Sequence, residues 1–183
     1  IIGEIGVDKL GFSAQEERVH GAAARAARQT GMAITTHSVM SDVGLRQLEV
    51  FEAEGADPGR VIVGHADSFP SMAYHLAVIE RGANLEFDFL GMQFTPLERF
   101  GEPRLIGLIC DLVERGHGDR VLLSQDVCHN SQLRIYEGSG YTYLMKTFLP
   151  RLREAGVTAA TIEQMTVATP RRLLSLGGSG GAA

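Results

Sequence analysis

The stretch Asp119-Arg-Val-Leu-Leu-Ser-Gln-Asp126-Val-Cys-His129 shows the pattern on which the rest of the chain is built. A polar turn precedes a short apolar run, Val121 to Leu123, of the kind that forms a buried strand. A carboxylate, Asp126, follows where the run stops. We therefore predict a strand whose C-terminal end carries an acidic side chain.

Three earlier segments repeat this arrangement with other side chains. Ile34-Thr-Thr-His37 and Val61-Ile-Val-Gly-His65 end in histidine, and Ile1-Ile-Gly-Glu4-Ile-Gly6 places a carboxylate inside an apolar strand. Histidine and carboxylate are good ligands for zinc and related ions. The repetition therefore indicates a metal site at the strand ends. Its candidate ligands are Glu4, His37, His65 and Asp126.

Strand-like and helix-like segments alternate along the whole chain. Ser13-Ala-Gln-Glu16 is a capping box that opens the first helix, which Gly31 ends, and Asp42 is predicted to cap the second helix. Five such β-α repeats predict parallel strands joined by right-handed crossovers.

Two α/β architectures accommodate these repeats, an open doubly wound sheet and a (β/α)8 TIM barrel. Both place active sites at the C-terminal ends of strands. Ligands on strand after strand favour the barrel, because closure brings distant strand ends onto one centre. We predict the last five βα units of a barrel over residues 1–176, followed by a flexible tail at 177–183.

Composition excludes several classes of partner. The 183 residues suffice for one domain with a core, and the net charge of −5 comes without a basic stripe, which argues against nucleic acid. No apolar run approaches the ~20 residues of a membrane span. Cys110 and Cys128 form no CxxC pair, which fits a cytoplasmic protein. Because the chain begins inside a strand, we expect it to be the C-terminal part of a longer one.

Histidine at a strand end is more often a structural residue than a ligand. Two histidines at equivalent positions, with Glu4 and Asp126 in phase, favour the metal interpretation for the set. Three residues beside the predicted site are candidates for substrate binding, namely Asp88, Phe89 and His129. For Asp88 and His129 a structural role is an equal alternative.

The other chemically capable side chains receive no role. His20 and His75 lie on predicted helices, and His117 lies in a turn at the opposite side. Ser38 and Ser124 lack a nucleophile elbow. Cys128 follows Asp126 closely but has no evident base partner, so a catalytic thiol is not expected.

Six short motifs together resemble the phosphotriesterase family of the amidohydrolase superfamily. They are Ile1-Ile-Gly-Glu-Ile-Gly6, Thr35-Thr-His37, Val63-Gly-His65, Leu123-Ser-Gln-Asp-Val-Cys128, Gly138-Ser-Gly-Tyr141 and Pro170-Arg-Arg-Leu-Leu174. The resemblance extends to about Leu176. It implies a (β/α)8 barrel with two divalent metal ions, usually zinc.

Members of that family have metal ligands at fixed positions of the barrel, and the resemblance implies the corresponding residues in this chain. His37 and His65 would hold one metal, Asp126 the other, and Glu4 would bridge the two where many members use a carboxylated lysine. A bridging glutamate is typical of the phosphotriesterase-homology and phosphotriesterase-related branch. Phe89 stands where the lactonase branch carries arginine, so the resemblance does not imply a preference for quorum lactones.

The family also uses a His-x-His pair on its first strand, and this sequence contains none. Three βα units would therefore precede the chain, since such barrels run to ~250 residues. The resulting prediction is a metal-dependent hydrolase whose binuclear centre activates water against a small-molecule ester, lactone, amide or phosphoester. Asp126 would accept the proton, and a homodimer is one candidate assembly. We expect the chain by itself to be inactive.

Two alternatives from other classes remain at this point. One is a non-catalytic barrel remnant that binds a ligand or a partner without turnover, and such a protein would lack stoichiometric metal. The other is a doubly wound binding domain, which would show an open sheet. Substrate contacts would come from the loops Phe89 to Phe100 and Val127 to Gly140.

Overall fold

A computed structural model describes residues 1–8, 11–92 and 101–176 of the chain. Its centre is a five-stranded parallel sheet. The strands are β1 (Ile2–Gly6), β2 (Ile34–His37), β3 (Val61–Val63), β4 (Asn84–Phe87) and β5 (Val121–Leu123).

Helices follow the strands in the order that the sequence predicts. They are α1 (Ala14–Thr30), α2 (Gly44–Ala53), α3 (Met72–Glu80), α4 (Glu102–Glu114), α5 (Leu149–Glu154), α6 (Ala159–Glu163) and α7 (Thr169–Leu174). A π-helical turn, Leu144–Phe148, leads into α5, and another, Gln164–Ala168, joins α6 to α7.

The strand order distinguishes the two predicted architectures. The strands lie in the sheet in their chain order, β1-β2-β3-β4-β5, and each pairs in parallel with its neighbour. A doubly wound sheet reverses its strand order at a switch point, where its ligands bind. The described sheet has no such reversal, so the prediction of consecutive units of a (β/α) barrel is confirmed.

Alternate side chains of each strand face opposite sides of the sheet. One side packs against the helices through the large core, which includes Val63, Phe87 and Leu123. The other side holds a smaller cluster near the start of the strands, where α7 covers it. That cluster consists of Ala33, Ile62, Leu122 and Leu173. Glu4, His37 and Asp126 belong to neither cluster, and they come later along their strands.

Helix ends agree with the sequence at α1 but not at α2. Ser13 and Glu16 form the predicted capping box, and Gly31 ends α1 with φ 71°. The prediction that Asp42 caps α2 is wrong. Val43 is the N-cap without a side-chain hydrogen bond, and Asp42 contributes its backbone carbonyl, which accepts the Leu45 N–H.

Two predicted segments fall partly or wholly outside the described residues. They are the loop after β4, at 93–100, and the tail at 177–183. Within the part of the chain that is described, no helix has both the length and the apolar character needed to cross a membrane.

Candidate metal centre

Three of the predicted ligands meet at one edge of the sheet. Glu4 lies on β1, His37 ends β2, and His65 follows β3 by two residues. One ligand atom from each lies within 4.8 Å of the other two. They converge because parallel strands in chain order present their C-terminal ends at the same edge.

The distances suit a shared cation. His65 Nε2 lies 2.9 Å from Glu4 Oε1 and 2.9 Å from His37 Nδ1, and His37 Nδ1 lies 3.4 Å from Glu4 Oε1. Ligands at ~2.0–2.2 Å around a tetrahedral ion stand about 3.3–3.6 Å apart. Small shifts of these side chains would therefore complete the coordination geometry.

Asp88 determines which nitrogen of His65 faces this centre. Its Oδ1 accepts from His65 Nδ1 at 2.8 Å, and its Oδ2 accepts from the His65 backbone N–H at 3.1 Å. His65 has a left-handed backbone, with φ 55°, which is uncommon outside glycine. With Nδ1 donating, neutral His65 turns the lone pair of Nε2 towards Glu4 and His37.

Three electron-rich atoms facing one another need a positive charge between them. In the absence of metal a proton supplies it. Burial lowers the pKa of His65, but the hydrogen bond and charge of Asp88, with the charges of Glu4 and Asp126, raise that pKa to about 9. A divalent ion satisfies the same three atoms, and imidazole with carboxylate is a usual donor set for zinc. The residues therefore fit a metal.

Phe89 forms a wall beside the centre. Its ring stacks on His65 with centroids 4.4 Å apart and an interplanar angle of 15°. Its backbone N–H donates to Asp67 Oδ2 at 2.8 Å. Asp67 is buried, and burial followed by the nearby Asp88 charge raises its pKa well above the usual value. Asp67 thus holds the backbone of the residue that covers one face of the His65 ring.

Asp126 lies at the same edge but stands apart from the three convergent ligands. Its backbone N–H donates to the Asp88 carbonyl at 2.8 Å, and Cys128 Sγ lies 3.8 Å from its Oδ2. The described group whose ligand atoms all lie within 4.8 Å contains Glu4, His37 and His65 but not Asp126. The sequence predicts four ligands at one centre, and the structure brings three of them within 4.8 Å of one another, with Asp126 outside that group.

The other predicted site residues differ in their surroundings. Asp88 is buried, with both carboxylate oxygens bonded to His65. His129 is exposed at the start of a turn, where its backbone N–H donates to the side chain of Gln132. Thus Asp88 lies directly behind a ligand, whereas His129 lies at the surface.

Sequence reasoning missed two acids that lie near the centre, Asp67 and Glu86. Glu86 lies on β4, two residues before Asp88, which directly follows the strand. Burial, then the charges of Asp88 and Glu4, raise its pKa to about 7 against the opposing effects of His65 and a Ser124 hydrogen bond. The signal was available, because residues two apart on a strand share a face. Asp67 carried a weaker signal, as an acid two residues after a predicted ligand.

Comparison with known proteins gives a consistent result. The family model described as the phosphotriesterase family matches residues 1–174. The chain is 38% identical over 170 residues to the phosphotriesterase homology protein of Escherichia coli, a match covering 93% of this chain and 57% of the relative. It is 29% identical over 184 residues to the N-acetyltaurine hydrolase of Dictyostelium discoideum, covering 96% of this chain and 50% of that one.

Solved structures share the fold. A crystal structure of the Escherichia coli phosphotriesterase homology protein, complexed with phosphate in its active site, superposes with a TM-score of 0.90 at 36% identity, covering 96% of this chain and 59% of that one. A mutant phosphotriesterase-like lactonase from Deinococcus radiodurans gives a TM-score of 0.81 at 29% identity, covering 93% and 56%. The chain spans about half the length of the curated relatives it matches.

Proposed function

Because this chain belongs to the phosphotriesterase family, we propose that it carries most of the active centre of a zinc-dependent hydrolase. The observation that supports this is the convergence of Glu4, His37 and His65 at the C-terminal edge of the parallel sheet. The relatives named as hydrolases provide the second line of support. The proposed reaction is hydrolysis of a small-molecule ester, lactone, amide or phosphoester.

The proposed centre is binuclear. His37 and His65 would hold one metal, and Glu4 would bridge to the second. Asp126, which follows β5, would bind the second metal together with a His-x-His pair from the units outside this chain. When bound, the metals would supply a water of lowered pKa, near 7, and polarise the scissile bond. Oε1 of Glu4 faces both imidazoles, and Oε2 would be the oxygen that binds the second metal.

The chain's own groups would prepare the centre and move protons. Asp88 holds His65 in the tautomer that presents Nε2, and a carboxylate behind a ligating histidine is a common support. Asp126 stands at the rim with a carboxylate that would accept a proton from the attacking water. Phe89 stacks on His65 and would exclude water from that face of the imidazole ring.

We propose further that this chain supplies the last five of eight βα units in the whole protein. The two outer strands, β1 and β5, each pair with a single neighbour in the described sheet. The relatives are also longer than this chain. The free thiols of Cys110 and Cys128 support a cytoplasmic location.

Metal analysis together with a substrate panel tests this function. In the whole protein we expect two equivalents of zinc by elemental analysis, and turnover of at least one of an ester, a lactone, an amide and a phosphotriester. Glu4→Gln should lose zinc and turnover together. Glu80→Gln, an exposed glutamate at the end of α3, is the matched control and should retain both. Whole protein that folds without zinc would be a non-catalytic barrel instead.

A further inference from the structure

A buried pair of polar side chains lies between the helices and the metal-bearing strands. His20 comes from α1 and Gln47 from α2, and both are completely buried. The sequence analysis gave His20 no role, and the proposed hydrolysis uses neither residue. Buried polar groups of this kind are retained where their hydrogen bonds fix a particular arrangement.

The orientation of the Gln47 amide follows from its partners. Its Nε2 lies 3.1 Å from the His37 carbonyl oxygen and 3.4 Å from the Ile5 carbonyl oxygen. Carbonyl oxygens only accept hydrogen bonds, so the NH2 group must face them. The same Nε2 lies 3.2 Å from His20 Nε2, which faces the NH2 group as an acceptor. The two N–H groups of the amide are therefore shared among three acceptors, and the longest of these contacts is the one to Ile5.

His20 is fixed in the complementary state. Its Nδ1 donates to the Glu16 carbonyl at 2.8 Å, which leaves Nε2 free to accept from Gln47. The ring lies between Phe12 and Phe51, with centroid distances of 4.6 Å and 5.3 Å. Burial lowers the pKa of His20, so the neutral form that this arrangement needs is favoured.

The two carbonyls belong to the strand ends that carry metal ligands. Ile5 directly follows Glu4 on β1, and His37 is itself a candidate ligand on β2. The pairing of β1 with β2 is irregular between Ile2 and Ile5, so Glu4 lies in a stretch that the regular ladder does not fix. A single amide bonded to both strands restores a defined spacing between them.

We propose that Gln47 is a positioning residue for Glu4 and His37, held in place by His20. The inference deepens the proposed function, because it concerns the ligands of the same centre. Gln47 Oε1 is buried and has no hydrogen-bond partner among the described residues, which costs free energy. An apolar side chain would avoid that cost, so the N–H groups of this amide are the part that the site requires.

The test compares Gln47→Leu with a matched buried amide elsewhere. Asn84 is also completely buried, and its amide donates to the carbonyls of Gly59 and Val61 at the other end of the sheet. In the whole protein, zinc affinity measured by calorimetry should fall about 10–100-fold in Gln47→Leu, the usual effect of losing support behind a ligand. Asn84→Leu should leave the affinity unchanged while lowering Tm.

A second variant separates the hydrogen bond from packing. His20→Phe keeps a ring between Phe12 and Phe51 but removes the acceptor for Gln47. We expect zinc affinity to fall in this variant too, and by less than in Gln47→Leu, because the two carbonyl acceptors remain. The contrary outcome is that Gln47→Leu and Asn84→Leu lose the same zinc affinity, each in proportion to its fall in Tm. That result would show that Gln47 only stabilises the fold.

Amide hydrogen exchange of the metal-free protein gives a readout that does not depend on the proposed function. Gln47→Leu should speed exchange at residues 4–6 and 36–38 and leave β3 to β5 as in the wild type. Unchanged exchange at those residues overturns the positioning role. If the wild type binds no zinc, the proposed function fails, and the exchange data still decide whether Gln47 joins the two strand ends.

Discussion

At the scale of single residues, Asp126 is the predicted ligand that differs most from the others. It lies at the strand-end edge, with its N–H bonded to the Asp88 carbonyl, but outside the close group of Glu4, His37 and His65. Its charge still contributes to the raised pKa of His65, so it is electrostatically part of the centre. A place outside the close group is compatible with both roles proposed for Asp126, ligand of a second metal and proton acceptor.

Asp126→Asn tests that role. Asparagine keeps the shape and one coordinating oxygen but does not accept a proton, so we expect kcat of the whole protein to fall by roughly 10²–10⁴. Metal content should fall less than kcat. Asp119→Asn, an exposed aspartate just before β5, is the control and should leave kcat unchanged. Wild-type turnover in metal-loaded Asp126→Asn would remove Asp126 from the mechanism.

Glu86 predicts a pH dependence of stability. Burial, together with the charges of Asp88 and Glu4, raises its pKa to about 7 from the ordinary value of 4.5. A carboxyl whose pKa is higher in the folded state binds its proton more tightly there. Its contribution to stability is therefore complete below pH 4.5 and is lost as the pH rises through about 7.

Glu86→Gln removes this titration while keeping the size of the side chain. At pH 8, without metal, the variant should unfold with a free energy higher than wild type by on the order of 1–3 kcal/mol. At pH 5 the two proteins should be nearly equal, because Glu86 is then protonated. Urea unfolding in a chelator at both pH values measures the difference. Equal gains at pH 5 and pH 8, or a gain shared by Glu80→Gln, would contradict the assignment.

Among the helices and strands, the N-terminus of α1 has the best-defined local hydrogen bonds. Glu16 accepts the backbone N–H groups of both Ser13 and Asp8, so the capping box also fastens the loop that leaves β1. The hydrogen bonds from Ser13 are the main cause that lowers the pKa of Glu16 to about 2. The first helix is thus tied to the strand that carries Glu4.

Ser13→Ala should weaken this start. The Glu16 N–H loses its acceptor, and replacing a serine N-cap by alanine typically costs about 1 kcal/mol of stability. Chemical denaturation of the whole protein measures the change. Ser131→Ala, an exposed serine in the loop after β5, is the control. A Ser13→Ala variant as stable as wild type would mean that the cap is redundant with the packing of α1.

The start of the helical segment that leads into α5 could not be predicted from the neighbouring sequence. The apolar pattern of the sequence predicts one helix over Tyr141 to Glu154, whereas in the structure this segment starts with the π turn at Leu144–Phe148 and continues as α5. The Leu144 N–H donates to Gln125 Oε1, a side chain that lies 19 residues earlier in the chain. A cap supplied from so far away leaves no pattern near the helix that it caps.

At the scale of the whole molecule, the sheet leaves the site half covered. In the described chain, β1 and β5 each have one neighbour, and the side chains of Glu4 and His37 are 46% and 41% exposed. Unpaired strand edges invite pairing with another chain. A closed barrel would instead pair both edges and fill its interior with side chains from alternate strands.

Residues 1–183 produced alone should therefore self-associate and show no appreciable hydrolase activity. Light scattering measures the assembly, and elemental analysis measures zinc. Adding a separate piece with three βα units and a His-x-His strand should give a soluble form loaded with metal, because it supplies both edge partners and the missing ligands. A monodisperse monomer of the chain alone with two tightly bound metals would show that the edge argument is wrong.

The order of elements and the candidate ligands follow from local sequence patterns. The β-α alternation, the capping box at Ser13 and the repeated acid or histidine at strand ends are local patterns, each readable within a few residues. Parallel strands in chain order then bring those ends to one edge, which is why the convergence of Glu4, His37 and His65 was predictable.

How that edge is held, and which ligand stands apart from the others, depends on contacts between distant parts of the chain. Asp88 behind His65, Gln47 across β1 and β2, and the raised pKa of Glu86 each depend on side chains from different elements meeting at distances of a few ångströms. Strand registers and helix packing set those distances. Hydrogen bonds and charge interactions depend on distances in space, and these distances cannot be read from the separation of residues along the chain.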